Sequence, residues 1–100
     1  YFKDENKLPI IFGKFQIEEF FDLQNKLKNK GVNTENITKY FFHKNKRWDL
    51  YLVDKKIIKL PNKNLDNAID LYNKFKKSDL YTSNIIVDLR IPNRIIIQNE

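Results

Sequence analysis

Residues 48–53 read Trp-Asp-Leu-Tyr-Leu-Val, so in an extended chain Trp48, Leu50 and Leu52 fall on one side while Asp49, Tyr51 and Val53 fall on the other. A wholly apolar face at a period of two is the signature of a strand that buries one face. Asp54-Lys55 follows as a tight turn, and Ile57, Ile58 and Leu60 return as the next strand until Pro61 ends it. A hairpin therefore sits in the middle of the chain, and the remaining segments must cover its apolar face or extend its edges.

Helical spacing flanks that hairpin on both sides. Apolar residues at 17, 20, 21, 23 and 27 predict a first helix over about Gln16 to Lys30, closed by a basic last turn and Gly31. Leu65, Ala68, Ile69, Leu71, Tyr72 and Phe75 predict a second, with Asn64 or Asp66 near its start and an end around Lys77-Ser78. Between the first helix and the hairpin, Asn33 to Asn36 is a loop by composition and Ile37 to His43 is β-prone. After the second helix, Ile85, Val87, Leu89 and Ile91 share one strand face, with Ile86, Asp88 and Arg90 on the other. Pro92-Asn93 breaks that ladder, and Arg94 to Gln98 resumes extended structure. Residues 1–13 form an irregular or extended lead-in with a stop at Leu8-Pro9. The order α-β-β-β-α-β-β predicts an α+β domain, spanning the chain as one unit, with a mainly antiparallel sheet and two helices packed on one face.

Composition narrows what such a domain can do. One hundred residues with 41% hydrophobic side chains, eight Phe, five Tyr and one Trp support one core and exclude intrinsic disorder. The absence of Cys excludes a disulfide framework and a Cys-ligated zinc, and the single His excludes a multi-His metal centre. Apolar runs such as Ile85-Ile86-Val87 and Ile95-Ile96-Ile97 are far short of the roughly 20 residues a membrane helix needs. No signal peptide is present, and a start at Tyr1 rather than Met reads as a domain cut from a longer protein. The net charge of +6 comes mostly from lysine, 16 of the 19 basic residues. Lysine clusters fall at the ends of the expected elements, where they complement helix C-termini or lie in solvated turns. That charge reads first as a solvated lysine surface; a basic nucleic-acid-binding α+β module is the alternative.

No chemistry-bearing constellation emerges. His43 has no Cys, second His or nearby Ser with which to build a nucleophile and base, and Glu18, Glu19 and Asp22 suit the helix N-terminus. With Gly13 and Gly31 the only glycines, no phosphate-cradling loop can be written. The reading is therefore a non-enzymatic chain with no cofactor and no metal. Two features are left. Asp88 and Arg90 stand at i and i+2 on one strand face, as a solvent-facing ion pair or a partner contact. The segment Arg94-Ile95-Ile96-Ile97-Gln98 is β-prone and free of acidic residues. At a sheet edge it is a docking template for another chain's strand; beneath a covered edge its isoleucines complete the core.

The ordered segments Leu8-Pro9-Ile10-Ile11-Phe12-Gly13, Arg47-Trp48-Asp49-Leu50-Tyr51-Leu52, Ile57-Ile58-Lys59-Leu60 and Ile86-Val87-Asp88-Leu89-Arg90-Ile91-Pro92-Asn93-Arg94 carry a resemblance. Together they resemble the extracytoplasmic β-domain of the bacterial cell-division family FtsQ, called DivIB in Gram-positive bacteria. The resemblance implies a non-enzymatic scaffold that joins FtsB and FtsL during septum formation. It also implies a parent protein with one inner-membrane helix and a POTRA domain upstream of Tyr1, this chain lying outside the cytoplasm. In the family the last strand accepts a strand from FtsB, which maps the docking surface onto Ile91, Asn93, Arg94, Ile95, Ile96, Ile97 and Gln98, with Arg47 and Arg90 nearby. Two departures stand out. The turn at Asp54-Lys55 lacks the glycine many relatives carry, and Ile91 and Asn99 replace aromatic residues found in some.

Overall fold

The Trp48 alternation forms the third strand of a six-stranded sheet in the computed structural model, which describes residues 10–99. The expected stop at Leu8-Pro9 lies outside the described residues. In chain order the elements are β1 (Ile10–Phe12), α1 (Ile17–Asn29), β2 (Ile37–Phe42), β3 (Trp48–Leu52), β4 (Ile57–Lys59), α2 (Leu65–Phe75), β5 (Ile85–Asp88) and β6 (Ile96–Asn99), with a 3-10 turn at Thr34–Asn36 before β2. The strands lie in the sheet in sequence order. Three joins are antiparallel, β2 to β3, β3 to β4 and β5 to β6, so the α+β reading with a mainly antiparallel sheet holds. The additions are β1, inside the expected lead-in, and two parallel joins, β1 to β2 and β4 to β5. Each parallel join is bridged by a helix, because parallel neighbours need a crossover long enough to return the chain to the same end.

Both helices deliver their apolar stripes to one core. Phe20, Leu23 and Leu27 of α1 and Ala68, Ile69, Tyr72 and Phe75 of α2 are buried with Tyr40, Trp48, Leu50, Ile58, Ile85 and Val87 of the sheet. Side by side on that face, the helices are tied by Lys30 Nζ to Asp70 at 3.0 Å and by Asn73 Nδ2 donating to the Lys30 carbonyl at 2.8 Å. α1 starts where the Gln16 N–H donates to Glu19 Oε1 at 2.9 Å, satisfying one of the free donors of a first turn. Asn64 does precede α2, but in the left-handed region and without a capping side-chain bond. At one end of the core, Trp48 gathers Phe42 at 4.7 Å, Phe15 at 5.8 Å and Phe20 at 6.0 Å between ring centroids, separations at which tilted aromatic pairs attract.

β2 departs from simple alternation. Its pairing with β3 slips between Ile37 and Lys39, so Thr38 and Lys39 are both exposed while Ile37 and Tyr40, three apart, are both buried. The bulge inserts one extra residue and is held by Thr38 Oγ1 donating to the Tyr51 carbonyl at 3.1 Å. β5 is shorter than the expected run to Ile91. It ends at Asp88, and Ile91 enters a turn at 44% exposure instead of joining the buried face of Ile85, Val87 and Leu89. The cause is local: the Arg90 N–H donates to Asp88 Oδ1 at 3.0 Å, and Pro92 follows.

The two hairpins of β2–β3 and β3–β4 are closed alike. Lys46 N–H donates to the His43 carbonyl and Lys55 N–H to the Leu52 carbonyl, with both lysines at φ 65°. A type I turn followed by a left-handed residue usually carries glycine there. Gly13 is the opposite case, at φ 108° with an added Cβ only 2.3 Å from the Phe42 carbonyl oxygen. Urea denaturation will therefore separate them: Lys55→Gly raises stability by up to about 1 kcal/mol through relief of the left-handed penalty. Gly13→Ala lowers it by about 1–3 kcal/mol.

Candidate functional site

With both helices on one face, the register fixes what the opposite, open face displays. One row runs Phe12, Phe41, Asp49, Lys59, Asp88, Ile96 across the six strands, and the next runs Ile10, Lys39, Tyr51, Ile57, Ile86, Gln98. At the β1 side the row is aromatic, with Phe12 stacked on Phe41 at 4.7 Å and 17°. Its centre is ionic. His43 Nε2 lies 2.9 Å from Asp49 Oδ2, and Arg90 grips Asp88 at two points, Nε to Oδ1 at 2.9 Å and Nη2 to Oδ2 at 2.7 Å.

The Asp88–Arg90 pair forms as its spacing predicts on the open face, with Arg90 half-buried and its partner more deeply placed. Asp88 is buried at 8% exposure. Hydrogen bonds from the Arg90 side chain hold its carboxyl below the ordinary aspartate range against the opposing pull of burial, with the Arg90 backbone N–H and the charges of Arg90 and Lys59 adding to the effect. Arg90 is in turn held charged by Asp88 first, with Asp49 assisting.

The other singled-out residues divide between a turn, a strand and a remote end. Ile91, Pro92, Asn93 and Arg94 make a hairpin turn, Arg94 N–H donating to the Ile91 carbonyl at 3.2 Å with Asn93 at φ 61°. Arg94 therefore precedes the strand it was expected to begin. Ile96, Ile97 and Gln98 lie in β6, which pairs with β5 on one side and, among the described residues, with nothing on the other. The segment lies at a sheet edge, and its isoleucines divide between the two faces. Ile95 and Ile97 pack against the core, while Ile96, at 37% exposure, faces the open side at an uncovered edge.

Arg47 lies just before β3, its carbonyl accepting from the His43 N–H at 2.9 Å. Continuing the register puts Arg47 and Arg90 at the same end of the sheet, two strand spacings or about 10 Å apart. The Arg47 Nε is buried without a hydrogen-bond partner among the described residues. Sequence reasoning missed Phe41, Lys59 and the His43–Asp49 pair as parts of this face. The parity of β3 and β4 assigns Asp49 and Lys59 to it, whereas the bulge in β2 hides the parity of Phe41.

Comparison with known proteins now bears on this geometry. The family model for the C-terminal region of the cell-division protein FtsQ/DivIB matches residues 1–90. The chain belongs to the FtsQ/DivIB family. A relative named cell division protein FtsQ, from Bradyrhizobium diazoefficiens, is 34% identical over 97 residues, covering 91% of this chain and 27% of the relative. The chain thus spans about a quarter of that FtsQ, and the family match stops at Arg90, before the β5–β6 turn and β6. Within the FtsQ/DivIB match lie the β3 alternation, both helices and the Asp88–Arg90 pair. No described helix is long and apolar enough to cross a membrane, and no cluster of three metal-ligating side chains occurs among the described residues.

Because the folded Asp88 titrates below its unfolded value of about 3.9, its ion pair adds stability that is complete above that pH. The contribution disappears as pH falls through the lower folded value. Urea denaturation between pH 7 and pH 2 should therefore show Asp88→Asn less stable than wild type at neutral pH, with the gap closing below about pH 4.

Proposed function

We propose that the chain is the partner-docking domain of a division protein, a non-enzymatic scaffold that binds FtsB, in complex with FtsL, by accepting a strand on the outer edge of β6. The observation that carries this reading is the edge itself. Ile96–Asn99 presents one side without a pairing strand among the described residues, and it holds no Lys, Pro or bulge of the kind that usually guards such an edge. Strand addition gives affinity through main-chain hydrogen bonds and specificity through alternate side chains. Here Ile96 and Gln98 offer contacts on the open face, and Ile95 and Ile97 anchor the strand from beneath.

Charge supports the same partner chemistry. Arg94 is exposed in the turn before β6, and Arg47 stands at the same end of the sheet beside Arg90, whose own charge is matched by Asp88. An acidic residue flanking the incoming strand would meet that end, giving an attraction that weakens with salt. Family membership and the 27% coverage of the relative fit a larger parent in which a membrane helix and a POTRA domain precede this chain. In that arrangement the domain lies outside the cytoplasm at the division septum, where the assembled complex regulates septal peptidoglycan synthesis.

Neighbouring residues of an antiparallel strand aim their N–H groups to opposite sides, so of Ile96→Pro and Ile97→Pro one removes a donor from the outer edge and the other from the β5 ladder. Calorimetric titration with the extracytoplasmic segment of the cognate FtsB should show at least about tenfold weaker binding for the variant that keeps its fold. Wild-type affinity in a folded outer-edge variant would exclude docking on β6.

A further inference from the structure

Three connections meet at the end of the sheet opposite Arg47 and Arg90: the α1–β2 loop, the β3–β4 turn and the α2–β5 loop. Main-chain hydrogen bonds join them, the Val53 N–H donating to the Asn36 carbonyl at 3.0 Å and the Asn84 N–H to the Asp54 carbonyl at 3.3 Å. Two of the tips are also closed on themselves. The Lys55 N–H donates to the Leu52 carbonyl at 3.2 Å, and the Leu80 N–H to Ser78 Oγ at 3.0 Å.

On this tied backbone stand two apolar side chains that the core does not take up. Val53 is 62% and Leu80 66% exposed, the highest values among the large apolar side chains described. Their loops adjoin, because the Lys56 ammonium lies 4.4 Å from the centre of the Tyr81 ring. Apolar side chains scattered singly over a surface are ordinary. A pair fixed at the tips of adjoining loops presents an apolar point instead.

The charge around that point is basic. Both helices end here, with Lys26 and Lys28 in the last turn of α1 and Lys74 in that of α2, and Lys55, Lys76 and Lys77 lie in the loops. Asp54 and Asp70 are matched by Lys56 and Lys30. Setting those pairs aside, six lysines stand against two exposed carboxylates, Glu35 and Asp79. Helix C-termini account for three of the lysines, but not for the loop lysines or the apolar tips. A protein partner needs roughly 800 Å² of packed surface around a buried anchor, which two separate tips do not offer. A bilayer asks less: a few apolar side chains entering the headgroup–acyl boundary, and lysines that lay their stems along it while their ammonium groups meet anionic headgroups.

We propose that this end of the domain rests on an anionic bilayer surface, Val53 and Leu80 entering the headgroup–acyl boundary and Lys55, Lys74 and Lys77 meeting the headgroups. The strands run between the two ends of the sheet, so they stand upright on the surface and the β6 edge stays clear of it. The contact is independent of any strand docked on β6. Co-sedimentation of the 100-residue chain with phosphatidylcholine vesicles holding about 30 mol% phosphatidylglycerol, against phosphatidylcholine alone, tests it. Binding to the anionic vesicles should be at least about tenfold stronger and should weaken several-fold at high salt. A lysine-rich chain can show that much through charge alone, so exposed apolar residues decide. Val53→Ser combined with Leu80→Ser should weaken binding several-fold, while Ile17→Ser combined with Phe21→Ser, altering equally exposed side chains of α1, should leave it unchanged. A lipid spin-labelled in its upper acyl chain should broaden the Val53 and Leu80 methyl resonances before those of Ile96. Wild-type binding by the Val53/Leu80 variant, an equal loss in the α1 variant, or broadening centred on Ile96 would overturn the proposal. Absence of binding to anionic vesicles at low salt would also overturn it and assign the tips to a protein partner.

Discussion

Connection handedness governs the layout of this molecule. With strands in sequence order, β1, β2, β4 and β5 point one way and β3 and β6 the other. The crossovers β1–α1–β2 and β4–α2–β5 therefore step in the same direction between strands of the same polarity. Crossovers between parallel strands are right-handed in nearly all proteins, so α1 and α2 must fall on the same face. One core, one open face and two sheet edges follow from that constraint.

An open face on a six-stranded sheet is an association hazard unless its apolar residues are separated, and here polar and charged side chains separate them. Asp49, Lys59 and Asp88 occupy the middle of one row, with His43 hydrogen-bonded to Asp49 and Arg90 paired with Asp88. Such engaged polar groups are costly to strip of their partners, so they discourage nonspecific apolar contact across the centre of the face. The aromatic pair Phe12–Phe41 lies at one side of the sheet and Ile96 at the other. The face therefore favours association at its edges over association at its middle.

What the sequence disclosed was what periodicity encodes. Trp48, Leu50 and Leu52 announced a half-buried strand, and the 3.6-residue spacings of Phe20, Leu23, Leu27 and of Ala68, Ile69, Tyr72 announced two helices. The β2 bulge was hidden because Ile37 and Tyr40 share a face only when an extra residue is inserted, and nothing within Ile37-Thr38-Lys39-Tyr40 marks the insertion point. The left-handed turns at Lys46 and Lys55 lacked their usual glycine signal. The early end of β5 was missed because Asp88 turns its side chain back onto the Arg90 N–H, a local competition that alternation does not record.

The two edges of the sheet are not equivalent, and the difference bears on which one another chain can use. Among the described residues β1 runs Ile10–Phe12, and the following Gly13 is pressed against the Phe42 carbonyl, so the exit from that edge is fixed. β6 has four residues, follows a turn built by Pro92 and Asn93, and is held by an antiparallel partner above an isoleucine anchor on the core side. A strand laid against β6 would extend the sheet without moving a helix, because both helices already lie on the other side of the plane from Ile96 and Gln98. The handedness that put the helices together thus also leaves the last edge accessible from the open face.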